Sequence, residues 1–306
     1  NYIYASTNIA VILHGGSDLQ KEGTTNESAV KGAREGYFAQ KATHEVADKY
    51  PGKKFGIINF EFTPPVKNIA SILFAEDQQG FVAGLLAAEI SKKRNKKVAV
   101  VGGASKYSTS QKKVNGFANG VKHACADCTA YCLYNKSFVN ENNESQDIFN
   151  SISTNKGINV VYNAASITGT TTLKNLTANE IYGIGDTTDE ITNWAYGSVP
   201  GSENLLTSIV QDYQVVVRGM LKNNFATGGM RNKYAKSKEN MQNYIGKIAN
   251  RQIDVGIDHK SGKSKISPGS TSCTMLEINK SYSSKDGVEN HRRSDHDNID
   301  HERKSA

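Results

Sequence analysis

Asn68-Ile-Ala-Ser-Ile-Leu-Phe-Ala-Glu-Asp-Gln-Gln-Gly-Phe-Val-Ala-Gly-Leu-Leu-Ala-Ala88, followed by Lys97-Val-Ala-Val-Val-Gly-Gly103, reads as a strand, a glycine-punctuated helix and a second strand. Two apolar strands flanking a helical run form a βαβ unit, which builds a parallel sheet with a ligand crevice at the carboxyl ends of its strands. Function is therefore expected in a cleft.

The same alternation extends in both directions. Upstream, 8–13 reads as a buried strand ending in His14-Gly15-Gly16, 36–50 as a helix and 54–59 as a strand. Around the opening unit itself the spacing predicts strand 69–74, helix 77–92 and strand 97–101. Downstream come helix 109–124, strand 129–134, helix 144–154 and strand 158–162, then a short helix, strand 180–184, a further helix, strand 205–210 and helix 212–222. Repetition of βα units makes the class α/β and doubly wound. Beyond Asn223 the pattern weakens: 233–246 reads as a polar, mostly helical insertion or long loop, and 252–258 with 265–268 as a terminal hairpin. From Gly269 the chain loses periodicity and gains charge, so 269–306 is expected to be a disordered tail.

Composition narrows the classes. The 306 residues, 37% of them hydrophobic, suffice for one large or two medium cores. The net charge of +7 is spread along the chain and is not gathered in an arginine stripe interleaved with aromatics, so no nucleic-acid partner is expected. No apolar run approaches the roughly 20 residues of a bilayer-spanning helix. The chain opens on Asn1 and not Met, which reads as removal of a secretory signal and places the protein outside the cell or at its surface.

Three of the four cysteines crowd into Cys125, Cys128 and Cys132, with Cys273 far downstream. Zinc would use these three and His123, but structural zinc sites pair their ligands across a loop. The competing reading is a helix-to-strand connection with a local disulfide. No metal or other cofactor is expected. Nor is catalysis: Val11-Ile-Leu-His-Gly-Gly16 resembles a hydrolase oxyanion loop, yet no Gly-x-Ser-x-Gly elbow accompanies it. Gly183-Ile-Gly185 lacks the third glycine of a dinucleotide fingerprint, and a phosphate-binding Gly-x-x-x-x-Gly-Lys-Ser/Thr loop is missing from the sequence. Binding is the favoured class.

Five blocks, Tyr50 to Asn59, Asn68 to Ala88, Val98 to Gly103, Asn115 to Lys122 and Leu206 to Gln211, occur in an order that resembles the basic membrane lipoprotein family, the purine-nucleoside-receptor-like solute-binding proteins of ABC transporters. The similarity covers about residues 37–268. The resemblance implies a type I periplasmic-binding-protein fold, two doubly wound Rossmann-like lobes joined by a three-strand hinge and closing on a small ligand. On that pattern 1–96 with 211–247 form the first lobe, and 97–210 with 248–268 the second. It also implies a monomer that meets a membrane transporter or receptor.

The resemblance places an aromatic that stacks on a nucleobase at Tyr162, a position that ordinary core would equally fill. The next loop, Ala164 to Gly169, offers Thr168 but carries Ser166 and Ile167 where the family has glycines. Thr187 stands where a ribose-binding aspartate is expected, with Asp186 beside it. Gln211 replaces a lysine, a change that favours hydroxyl-rich sugars or polyols over nucleosides, although nucleoside remains the first reading. Asp18 and Asn26 are the candidates for the family's motif after its first strand. The segment from Asn26 to Tyr50 is short by about two βα units of ~20–25 residues each, so the first lobe is expected to be reduced. Such a reduction would suit a surface or structural protein that has lost its ligand.

Overall fold

The computed structural model describes residues 9–14, 40–105, 107–135, 142–155, 157–165, 169–194, 198–211, 225–227, 243–248, 252–257, 273–276 and 278. Two sheets organise them, one parallel throughout and one parallel except at one edge strand. The smaller has the order β1-β2-β3, from β1 (Ile9–His14), β2 (Lys54–Ile58) and β3 (Ile69–Ile72). Helix α1 (40–49) precedes β2. The Asn68 side-chain amide lies within hydrogen-bonding distance of the Ala47, Tyr50 and Lys53 carbonyls, at 2.9, 3.3 and 3.1 Å, fastening the end of α1 to the start of β3.

The larger sheet has seven strands in the order β10-β5-β4-β6-β7-β8-β9. Its central members are β4 (Lys97–Gly102), β5 (Thr129–Tyr134), β6 (Ile158–Ala164), β7 (Tyr182–Thr187) and β8 (Leu205–Gln211), all parallel. β4 is buried through successive residues because both faces are covered. Val98 and Val100 enter one core with α2 (Glu76–Ser91) and α3 (Ser108–Ala124), whereas Ala99 and Val101 enter another with α4 (Asn142–Thr154). α5 (Thr170–Ala178) adds Leu176 to that second core. A short α6 (Glu190–Asn193) follows β7, and a 3-10 turn (Ser202–Asn204) leads into β8. The doubly wound α/β class read from the sequence is the observed one.

The packing moves several of the expected boundaries. α2 packs on α3, β6 and β4, so the change of sheet falls at residues 73–75 and not at 93–97. The reason is in the helices themselves. Gly80 and Gly84 on α2 meet the Lys113 and Phe117 carbonyls, while Gly116 and Gly120 on α3 meet the Asp77 and Phe81 carbonyls; a Cβ at any of the four would collide with backbone. Parallel helices so closely seated form one unit, and α2 follows α3 onto the larger sheet.

Within 211–247, the expected return to the first lobe, the described parts also lie on the larger sheet. β9 (Phe225–Thr227) pairs antiparallel with β8, closing an edge that would otherwise be open. Tyr244, on α7 (243–248), meets His123 edge-on at 5.9 Å. Residues 252–257 carry Val255 and Ile257 into the core beside α3, with Asn119 donating to the Val255 carbonyl at 3.0 Å. They form no ladder strand; the hairpin's other half, 265–268, lies outside the described residues, as does the expected helix 212–222. Inside the stretch read as tail, β10 (Thr274–Met275) pairs in parallel with β5, and Cys273 joins Cys132 in a disulfide. Residues 279–306 lie outside the described residues.

Candidate functional site

The larger sheet reverses its winding at β4 and β6. From β4 the chain runs to β5 on one side, then returns past β4 to place β6, β7 and β8 on the other. Connections on the two sides use opposite faces, leaving a crevice beyond the carboxyl ends of the strands. Alternation along the strands decides which side chains reach it. Tyr162 on β6, Ile184 on β7 and Ile209 on β8 share the core beside α2 and α3, so Asp186 and Gln211, two residues further along β7 and β8, occupy that same face at the strand ends.

Asp186 is the hub. Its side chain is fully enclosed, with Oδ1 accepting from the Tyr162 hydroxyl at 2.6 Å and Oδ2 accepting from Lys113 Nζ at 2.6 Å and from the Thr187 hydroxyl at 2.9 Å. Burial, reinforced by the adjacent carboxylate, pushes the Tyr162 hydroxyl well above its ordinary value. Glu76, the first residue of α2, is buried near the same lysine. Desolvation raises its carboxyl, and the charges of Lys113 and Lys112 pull it part of the way back. Thr187 ends β7 with φ of 68°, a left-handed conformation that is uncommon for a β-branched residue, and the Thr188 N–H closes a tight turn on the Asp186 carbonyl at 2.7 Å.

Four of the predicted site residues are described. Tyr162, Asp186 and Thr187 come together in one hydrogen-bonded group, and Gln211 stands on the neighbouring strand, its amide donating to Gln79 Oε1 at 3.3 Å. Tyr162 is wholly buried with its ring stacked on Phe117, centroids 5.9 Å apart, the core alternative that the sequence left open for it. Thr168, Asp18 and Asn26 lie outside the described residues. Glu76, Gln79 and Lys113 were not foreseen. A signal for Lys113 existed: it falls on the stripe Ser110, Val114, Phe117, Val121 that α3 buries, where a solvated lysine has no place.

A second polar group lies against the other face of β7. Gly185 leaves room for Ser208 and Glu190; Ser208 accepts from the Glu190 N–H at 3.0 Å, and Thr170 donates to Glu190 Oε1 at 3.2 Å. The cysteines of the cluster are paired. Cys125 and Cys128 form one disulfide and Cys132 and Cys273 the other, which removes the thiolates that the zinc reading needs.

Residues 34–258 match the profile of the family described as ABC transporter substrate-binding protein PnrA-like. A curated relative, the transcriptional activator protein med of Bacillus subtilis strain 168, is 26% identical over 187 residues, 60% of this chain and 54% of the relative, so the chain spans about half the length of the curated relative it matches. Among solved structures, a transcriptional activator of the comK gene from Bacillus halodurans is similar with a TM-score of 0.58 at 18% identity, covering 81% of this chain and 80% of that one. An ABC transporter solute-binding protein from Conexibacter woesei DSM 14684 is similar with a TM-score of 0.53 at 14% identity, covering 79% and 96%. At these identities the structural likenesses speak for the fold.

Proposed function

The chain belongs to the PnrA-like family of ABC transporter substrate-binding proteins, which are not enzymes, and has their type I periplasmic-binding-protein fold; from that premise we propose that it closes two lobes on one small, uncharged polar solute. A purine nucleoside is the first reading of that solute. The observation that carries the proposal is the Asp186–Thr187 turn, a buried carboxylate and a strained threonine held at the carboxyl end of β7, one strand from the switch in strand order. Strain of this kind persists where surrounding structure enforces it, commonly at ligand sites. Thr187 and Gln211, with Thr168 between β6 and α5 in sequence, contact the ligand; Asp186, anchored by Tyr162, holds Thr187 in place.

A sugar or polyol is the second reading, favoured by Gln211. An amide both donates and accepts, matching hydroxyl groups, where a lysine can only donate. The two disulfides support an oxidising compartment outside the cytoplasm. There a membrane transporter or receptor is the partner that would take the ligand from a monomeric binding protein. The similarity to the transcriptional activator protein med supports a different use of the same fold, in transcriptional activation.

Calorimetric titration of the folded protein with adenosine, guanosine, inosine, ribose, glucose and galactose tests the proposal. A saturable heat with one of them is expected. Silence with all six would leave the protein as one that kept the fold and lost its ligand.

A further inference from the structure

Gln79 lies in the first turn of α2, is fully buried, and uses its Oε1 to accept from Gln211 at the last residue of β8. Its Nε2 has no hydrogen-bond partner among the described residues. An enclosed amide with two idle N–H groups carries a desolvation penalty that no bond offsets, and a methionine of similar volume would fill the space without it. The helix offers no relief by shifting. At the next residue, Gly80, its backbone is pressed against the Lys113 carbonyl, and one turn earlier the Asp77 carbonyl is pressed against Gly116. The amide is thus fixed beside the strand ends that border the crevice, with donors available.

We infer that Gln79 is a ligand-contacting, specificity-determining residue whose side-chain amide donates to an uncharged acceptor of the bound solute, a hydroxyl, carbonyl or ring nitrogen. The inference rests on the binding function proposed above and assigns one wall of its site to the start of α2. The charge around the position selects the class of acceptor. Glu76 and Asp77 occupy the same turn, Lys113 is already paired with Asp186 of β7, and Lys112 and Lys113 are the cations whose charges act on Glu76. An anionic group brought to Gln79 would face these carboxyls and would find a neutral amide at Gln211 in place of a cation. Uncharged nucleosides and sugars fit; their phosphate or uronate counterparts do not.

The test is calorimetry on the full chain and on Gln79→Met, using adenosine, inosine, ribose and galactose with AMP and galacturonate as anionic counterparts. The wild type is expected to bind an uncharged member and to reject its anionic counterpart. Gln79→Met should weaken that binding by ~3–10-fold, the worth of one neutral hydrogen bond. Its melting temperature should change little, because removal of the idle buried Nε2 is opposed by loss of the Oε1 that accepts from Gln211. If the variant fails to fold, the side-chain amide resonance of Gln79 in the labelled wild type decides instead, and it should move on saturation with ligand. Unchanged affinity in the variant, or a stationary amide signal in a wild type that binds, overturns this inference and leaves the binding function standing. A wild type silent to every probe overturns both.

Discussion

Lys113 Nζ lies 2.6 Å from Asp186 Oδ2 in an ion pair whose carboxylate is fully enclosed and whose lysine side chain is only 10% exposed. The pair joins α3 to the end of β7. Removing one member of a buried pair leaves the other charge without compensation, a loss of about 3–5 kcal/mol, whereas removing both can be close to neutral. Lys113→Met should therefore lower the urea midpoint strongly, and Lys113→Met with Asp186→Asn should recover much of it. A double-mutant cycle in urea checks this; additive losses would show that the two residues do not interact.

Glu190 sets a pH dependence whose sign is fixed by its surroundings. Burial raises its carboxyl above the ordinary 4.5, partly opposed by the bond from Thr170. The folded state then holds the proton more tightly than the unfolded chain. This group's contribution to stability is full below the unfolded value and is lost as pH rises through the folded one. Glu190→Gln abolishes that dependence. Relative to the wild type, the variant should gain stability between pH 4.5 and pH 7.5, measured as the difference in urea midpoints at the two values; a constant difference would refute the assignment.

The reach of the sequence follows from what periodicity encodes. Strand 97–101 and helix 77–92 were found at Lys97–Gly102 and Glu76–Ser91, because apolar runs with flanking polar residues mark such elements directly. Which sheet α2 joins was not legible. A helix buried nearly all round shows no preferred face, and only the paired glycines on α2 and α3 reveal their partner. β9 and β10, of three and two residues, are too short to leave a pattern. At the site, Asp186, Thr187 and Gln211 were readable as departures from a family pattern. Glu76 and Gln79 were not, since polar residues opening a helix ordinarily read as solvated first-turn residues.

The glycine contacts between α2 and α3 yield a third stability test. A methyl group at Gly84 would collide with the Phe117 carbonyl, and one at Gly120 with the Phe81 carbonyl. Backbone cannot rotate away as a side chain can, so the helices must separate. Gly84→Ala and Gly120→Ala should each cost about 1–3 kcal/mol or more. Gly52→Ala, at a position with open space around it, is the matched control and should be near neutral. Equal urea midpoints for all three would mean that the helices are not in this close register.

The two disulfides differ in how much chain they close. Cys125–Cys128 spans a sequence separation of 3 and Cys132–Cys273 one of 141, with Cα separations of 5.3 and 6.0 Å. Stabilisation through the unfolded state grows with the logarithm of loop length, so the longer link should contribute about 3 kcal/mol more than the shorter. The Cys132→Ser, Cys273→Ser double variant should thus melt well below the Cys125→Ser, Cys128→Ser variant. Peptide mapping without reductant verifies the pairing first; a link between Cys125 or Cys128 and Cys273 would contradict the fold at the β5 edge.

Thr187 combines strain with the proposed ligand contact, which makes it the sharpest separator of stability from binding. A left-handed conformation costs an L-residue roughly 1–2 kcal/mol, and asparagine visits it far more readily than a β-branched residue does. Thr187→Asn keeps a polar side chain in the turn while easing the backbone at φ of 68°. It gives up the hydroxyl that donates to Asp186 at 2.9 Å, although its amide N–H can take that place. The variant should therefore be more stable than the wild type by about 1 kcal/mol in urea titration. Its affinity for the wild-type ligand should fall, since the hydroxyl proposed to contact the ligand is gone. A variant that is stabilised and binds unchanged would confine Thr187 to a structural role; a destabilised one would show that the hydroxyl's bond to Asp186 outweighs the strain.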